Sequence, residues 1–309
     1  MTTPNEPHEE PENSYPAYPS TPHPEDAPTY GQQPYQGYAG YSEQTPAATT
    51  TTTGTGKVRP MEAVSWAFGT TFRNWPVWIL GTLALLVASV VVAMTVDFAF
   101  GGFSGDMSYQ NGLGYQVSQV LLGLLFSALT VFIYHGALRQ VDKAKIGYGD
   151  FGGNVNFWPT FGVFIVIQVI TTVLFSAFAL PIMLSSNDLA NSQMATQDEM
   201  LAELSKLFGV FAVIMVVAVL VTPLTMFMVW FAADRRTGFA GAFGAGFRAG
   251  ARNHLTLLLF NIVAGLAAMI VSLITLGLAL IIIGPALLLA QAHMYRQAAQ
   301  GALPAPTRA

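Results

Sequence analysis

Three observations predict an all-α fold. It is a polytopic membrane bundle of six spans, in three hairpin repeats with interfacial amphipathic helices, preceded by a disordered tail. Charged residues make up only 10% of the 309 residues, and hydrophobic residues 52%. Soluble domains carry about 25% charged residues, so too little charge is present here to cover a water-facing surface of this size. The apolar residues gather in uncharged stretches long enough to cross a bilayer. Twelve of the 13 Lys and Arg residues fall on one side of those stretches. The chain has no Cys, which excludes disulfide frameworks and thiolate metal sites.

The first element is the tail, residues 1–56. It holds seven acids, ten of the 18 prolines, six of the 11 tyrosines and no Lys or Arg. It has no Leu, Ile, Val or Phe. Such a segment cannot bury enough apolar surface to offset its ordering entropy, which predicts disorder. Tyr30 to Tyr41 is a low-complexity Tyr/Gln/Gly tract. A Thr run from Thr49 to Thr53 leads into Gly54-Thr-Gly56, which reads as a flexible join. Pro-x-x-Pro spacings at Pro4–Pro7, Pro16–Pro19 and Pro19–Pro22 suit polyproline II ligands. A basic n-region is missing, so the segment does not read as a signal peptide.

The membrane domain is residues 57–298, and from Lys57 onward the chain carries all 13 basic residues and ten acids, a net +3 against −7 for the tail. A spanning helix needs about 20 mainly apolar residues. Stretches at roughly 76–96, 115–138, 158–184, 207–233 and 255–295 meet that test. The last would be about 60 Å long as one helix, twice the hydrocarbon thickness. It divides into two spans, about 255–275 and 279–296, with a tight turn near Leu276-Gly277. Residues 299–309 form a short tail.

Charge orients the spans. Lys57, Arg59 and Arg73 precede the first. Arg139, Lys143 and Lys145 follow the second. Arg235, Arg236, Arg248 and Arg252 follow the fourth, and Arg296 and Arg308 follow the sixth. Only Lys206 lies on the other side. Basic residues are retained in the cytoplasm, so the expected location is the plasma membrane with both termini cytoplasmic. The outside loops, 97–114 and 185–206, are short. Met194 to Leu207 suits a short amphipathic helix at the outer surface.

The entries to the odd spans repeat. They read Phe68-Gly-Thr-Thr-Phe-Arg-Asn-Trp75, Phe151-Gly-Gly-Asn-Val-Asn-Phe-Trp158 and Phe247-Arg-Ala-Gly-Ala-Arg-Asn-His254. Seven residues are two helical turns, so each Phe shares a face with its Trp or His. Val64, Phe68 and Phe72, and likewise Phe239, Phe243 and Phe247, predict short interfacial helices. Phe68, Trp75, Phe151, Trp158, Phe247 and His254 would be interfacial anchors. Pro223 and Pro285 lie in the fourth and sixth spans before Arg235 and Arg296.

These entries, with the ending Gly284-Pro-Ala-Leu-Leu-Leu-Ala-Gln-Ala-His-Met-Tyr-Arg296, resemble uncharacterised actinobacterial six-span integral membrane proteins. Those in turn resemble the membrane domain attached to some glycerophosphodiester phosphodiesterases. The resemblance implies a fold and a lineage. It implies no phosphodiesterase activity, because in such proteins catalysis belongs to a separate soluble domain.

The residues suggest little chemistry. The hydrocarbon parts of the spans hold no Asp, Glu, Lys or Arg, which argues against ion-coupled transport. Gln168, Asn261 and Gln291 suit interhelical hydrogen bonds, or a polar path. His135, His254 and His293 sit near span ends without His-x3-His pairing, so anchoring is favoured over a metal site. Arg235, Arg236, Arg248 and Arg252 suit anionic lipid headgroups as well as orientation. Gly241 to Gly246 lacks the strand and Lys-Ser/Thr of a phosphate loop. No catalytic group, cofactor, metal or nucleic-acid partner is expected.

The leading expectation is a non-enzymatic cell-envelope scaffold, receptor or accessory factor. Its partners would be membrane lipids and a cytoplasmic protein bound through residues 1–56. The alternative is a transporter or flippase of a lipid or apolar solute. A polar cavity near Gln168 and Asn261 would separate the two.

Overall fold

The structure is a computed structural model, describing residues 52–102, 107–191 and 196–304. The expectations for residues 1–51 lie outside the described residues. Among the described residues the fold is all-helical. Five helices are long and apolar enough to cross a membrane.

The chain enters through α1, Pro60–Arg73. Pro60 fits a first helical turn, where its missing N–H costs nothing. Glu62 lies in that first turn and Arg73 in the last, each complementing the helix dipole. Ala63, Trp66, Ala67, Thr70 and Thr71 are buried at helical spacing. A π-helical turn at Pro76–Leu80 leads into α2, Gly81–Ala99. Next comes α3, Leu113–Asp142, and then a 3-10 turn at Tyr148–Phe151. α4, Phe157–Asn191, has 35 residues, roughly 50 Å at 1.5 Å per residue. It therefore runs well past the hydrocarbon thickness.

α5, Gln197–Thr225, is continuous from Gln197 into the fourth apolar stretch. The separate surface helix expected up to Leu207 is thus not formed: from Gln197 its residues are the first turns of α5. Two residues past Pro223 the helix breaks, and α6, Met228–Ala233, continues the path. α7, Phe239–Arg252, is an amphipathic helix before α8, His254–Ile274.

The tight turn falls where the sequence places it. Leu276 (φ 51°) and Gly277 (φ 86°) both adopt left-handed backbone. The Gly277 N–H donates to Ser272 O at 2.7 Å, closing α8 in a Schellman pattern. α9, Leu280–Ala298, follows. It is not among the five long apolar helices. From Pro285 onward it is largely buried against protein, and it carries His293, Tyr295, Arg296 and Gln297 in that buried run. Helices stand at two of the places expected to hold interfacial ones, as α1 and α7. The middle place holds none: Gly147, Gly149, Gly152 and Gly153 surround the stretch, and it makes only the 3-10 turn.

The core sits at one end, where α1, α7 and the last turns of α3, α6 and α9 meet. Phe227, Trp230, Leu257, Leu289, Met294 and Tyr295 are fully buried there. The basic residues of the helix ends gather at the same place, called the basic end below. Residues 52–58 belong to it as well. The join read as flexible is a strap: Gly54 and Gly56 are buried. The Gly54 N–H donates to Gly301 O at 2.9 Å and the Gly56 N–H to Gln297 O at 3.0 Å. A Cβ on Gly54 would meet Gln297 O at 2.5 Å. That glycine is therefore a condition of close approach, not of flexibility. Residues 301–303 are likewise not a free tail: Gly301 and Leu303 are buried, and the Leu303 N–H donates to Thr52 O at 2.9 Å.

Away from this base the helices are apolar shafts. None of the described residues of α2 is buried. Val263 is 65% and Leu273 71% exposed on α8. In water each such side chain would forgo roughly 1.5–3 kcal/mol of burial. Against lipid tails, which are as apolar as Leu, that cost vanishes.

Candidate functional site

The basic end is bound by side-chain amides. Asn74, just past α1, donates through Nδ2 to Gln140 Oε1 (2.8 Å) and to Ile146 O (3.2 Å). The indole of Trp78 donates to the same Gln140 oxygen at 2.9 Å. Asn253, between α7 and α8, accepts from the Val58 N–H at 2.9 Å and donates to Gly56 O and Ala249 O. Gln297 of α9 accepts from the Arg59 N–H at 2.7 Å. Asn156 donates to Ala232 O at 2.7 Å, tying the start of α4 to α6. Gln140, Gln297, Asn74 and Asn253 are all buried, where an unmade hydrogen bond would cost about 1–3 kcal/mol.

An ionic cluster closes the base. Arg296 Nη2 donates to both oxygens of Asp142 at 2.8 and 3.0 Å, and reaches Asp234 Oδ1 at 3.3 Å. Asp234 Oδ2 accepts from Tyr295 Oη (2.9 Å) and from Arg236 Nε (2.8 Å). Arg236 Nη1 also donates to Ala299 O. Two carboxylates and two guanidiniums thus balance; Arg296 and Asp234 are the least exposed members, at 10% and 12%, and Asp142 lies toward solvent at 39%. The cluster joins the ends of α3, α6 and α9.

α7 docks by backbone approach. Ala242, Gly246, Ala249 and Gly250 form its buried face. A Cβ on Gly246 would meet the Met228 backbone at 2.6 Å, and one on Gly250 would collide with Pro223 O. Small residues four apart let the helix lie directly against the α5–α6 break.

An apolar cavity of about 680 Å³ opens between α2, α3, α9 and the Tyr148–Phe151 turn. Trp78, Leu85 and Ala88 form one wall, Leu129 and Phe132 the second, and Pro285 and Leu288 the third. Neither Gln168 nor Asn261 lines it. Gln168 instead accepts from Ser127 Oγ at 3.1 Å, an interhelical bond between α4 and α3.

The expected lipid-headgroup arginines divide. Arg236 is held in the ionic cluster, and Arg235 Nη2 donates to Asn154 O and Oδ1. Arg248 and Arg252 are exposed on one face of α7, beside the half-exposed Phe247. The expected anchors divide too. Trp75 and Trp158 are exposed, at 51% and 76%. Phe68 is half-buried. Phe151 turns inward instead, its ring tilted against Trp78 with centroids 5.7 Å apart and lying over Gly136. His254 Nε2 donates to Leu220 O at 3.0 Å, so it ties α8 to α5. The three histidines take separate places: His293 lies 5.1 Å from Trp66, and His135 bonds the Gly153 backbone. Among the described residues no group of three or more His, Cys, Asp or Glu could hold a metal ion.

Gln140, Gln297 and Asp234 were not singled out by sequence reasoning. A signal was present: Arg139-Gln140 and Arg296-Gln297 end two helices, each shortly after a His. No protein-family model matches the chain, and no curated protein or solved structure matches it either. The likeness to six-span actinobacterial proteins therefore stands on the residues quoted for it alone.

Proposed function

We propose that the chain is a non-enzymatic integral membrane protein of the cell envelope, a scaffold, receptor or accessory factor. In this reading α9 is the sixth span and the plasma membrane is its location. The three hairpins are related units, and both termini are cytoplasmic. The observation that carries it is the cross-linking of the base by amides and charged groups, while His135 Nε2, Trp230 Nε1, Asn261 Nδ2 and His293 Nδ1 are buried without a hydrogen-bond partner among the described residues. Asn74, Gln140, Asn253, Gln297, Asp142, Asp234 and Arg296 each bind a neighbouring helix or the strap, so they serve cohesion. A rigid base of this kind suits a platform from which residues 1–51 bind a cytoplasmic protein.

The test is a truncation lacking residues 2–51, which keeps the strap. It should lose its crosslinked partners while remaining in the membrane. An unchanged partner set refutes the role of the tail. The native chain has no Cys, so single introduced thiols report topology cleanly. Gly277→Cys should react with an impermeant reagent from outside, and Ala302→Cys only from the cytoplasm. Reaction of both from one side removes the sixth span.

A second reading, transport or flipping of a lipid or apolar solute, is favoured by the α5–α6 break near Pro223 and by the apolar cavity beside Pro285. Movement of a fluorescent lipid between leaflets of vesicles containing the chain would support it. A rate equal to that of empty vesicles would reject it.

A further inference from the structure

We infer that the cavity between α2, α3 and α9 is a binding site for one acyl chain of an anionic phospholipid, drawn from the leaflet at the basic end. The polar side chains of its lining are already engaged. Trp78 Nε1 donates to Gln140, Thr82 Oγ1 to Trp78 O (2.6 Å) and Tyr148 Oη to Pro76 O (2.6 Å). What remains to face a ligand is hydrocarbon: Leu85, Ala88, Leu129, Phe132, Pro285 and Leu288. The volume, about 680 Å³, lies within the roughly 300–1,000 Å³ of small-molecule sites. Its place along the helices fixes the leaflet. The α2 wall is made by the first turns after Pro76, so the cavity starts at the basic end and runs toward the middle of the span.

Charge selects the headgroup. The Tyr148–Pro76 hydrogen bond marks the cavity's basic-end rim. Lys145 precedes Tyr148 by three residues and Arg73 precedes Pro76 by three, and both are exposed. In this proposal these two cations, each three residues from a rim residue in sequence, hold the phosphate, while its chain enters between α2 and α3. α2 has no buried described residue, so this wall is the one least held by protein.

The site rests on α2 and α3 crossing a membrane. Its test uses the full chain in vesicles of phosphatidylglycerol or phosphatidylcholine carrying a photoreactive diazirine in mid-chain. Crosslinks are mapped by mass spectrometry. With phosphatidylglycerol, Leu85, Leu129 and Leu288 should label several-fold more than the outward Leu259 and Val263 of α8. Ala88→Trp should abolish the excess and leave α8 labelling unchanged. Leu129→Trp fills the cavity from the opposite wall, should the first variant fail to fold. Equal labelling of cavity and outward residues overturns the site, and equal labelling by phosphatidylcholine overturns the anionic headgroup. Displacement by free fatty acid at low concentration overturns the phospholipid as occupant. A chain that does not float with the vesicles removes the membrane reading beneath the site, a result distinct from all of these.

Discussion

The base and the shafts of this molecule invert the usual rule of burial in opposite ways. At the basic end, side chains as polar as Gln140 and Asn253 are buried and bonded. In the shafts, side chains as apolar as Val263 and Leu273 are exposed. The difference shows where cohesion lies. Lipid gives shafts no reason to associate, because tails solvate Leu as well as Leu does. The base must hold the bundle by close packing and hydrogen bonds, and it does so with small residues, amides and balanced charge.

The sharpest way to break this contrast is to place the same substitution in both regions. Gly250→Leu puts a branched side chain where even a Cβ collides with Pro223 O. Overpacking typically costs about 1–3 kcal/mol, and more where backbone blocks relaxation. We expect loss of folded protein in detergent, read by size-exclusion chromatography after heating. Gly265→Leu, where a Cβ would meet nothing within 4 Å, should melt at or above the native temperature. Equal effects would show that the shafts pack as the base does.

Charge comes second. Asp234 accepts from Tyr295 and Arg236 and faces Arg296. Its side chain is only 12% exposed. Removing one member of a buried pair leaves an uncompensated charge and costs about 3–5 kcal/mol. Asp234→Ala should fall at the low end, near 3 kcal/mol, because Arg296 keeps Asp142. Asp234→Leu combined with Arg236→Met should be milder than either change alone in the same melting assay. Additive losses would mean that the cluster is not one unit.

Amides come third. Asn253→Leu severs the bonds to Val58 and Gly56 and should cost about 2 kcal/mol. It should also raise hydrogen exchange at the Val58 amide. Thr171→Ala removes only an exposed bond within α4 and should stay within about 0.5 kcal/mol. A loss at Thr171 as large as at Asn253 would erase the contrast.

The shafts were legible in the sequence and the base was not. Spans announce themselves by runs such as Leu85 to Val92, since lipid demands an apolar side chain at nearly every position. The turn at Leu276-Gly277 was legible because one helix of that length outruns a bilayer. The base depends on pairs distant in sequence. Nothing near Asn74 points to Gln140, and a Thr/Gly strap has the composition of a linker until Gln297 is placed against Gly54. Even the repeat misdirected one residue. Phe151 has the spacing of a membrane anchor, yet Gly136 opens a place for its ring inside. The cavity could not be read at all, because its walls come from three helices and each wall residue is an ordinary span residue.

The smallest expected effect concerns a part of the base that opens to water, the turn between α3 and α4. Asp150 accepts from Lys143 Nζ at 2.8 Å and from the Gly147 N–H at 2.9 Å. These two bonds, the lysine first, hold its carboxyl below the ordinary value of 3.8. A carboxylate with a depressed folded-state pKa stabilises fully above its unfolded value, and the contribution fades as pH falls through the folded one. The turn carries Tyr148 over Gly81 and Phe151 over Gly136, so loosening it should free both rings. Amide exchange at Gly147 and Phe151, corrected for intrinsic rate, should lose protection from just below pH 4 downward. Asp150→Asn should lack that pH dependence, with protection already reduced at pH 7. The pair is exposed, so the change should be local and should weaken with salt. If the loss spread to Asn253 or Gln297, the turn would be part of the buried network, and the boundary between base and solvent would lie further out than these contacts place it.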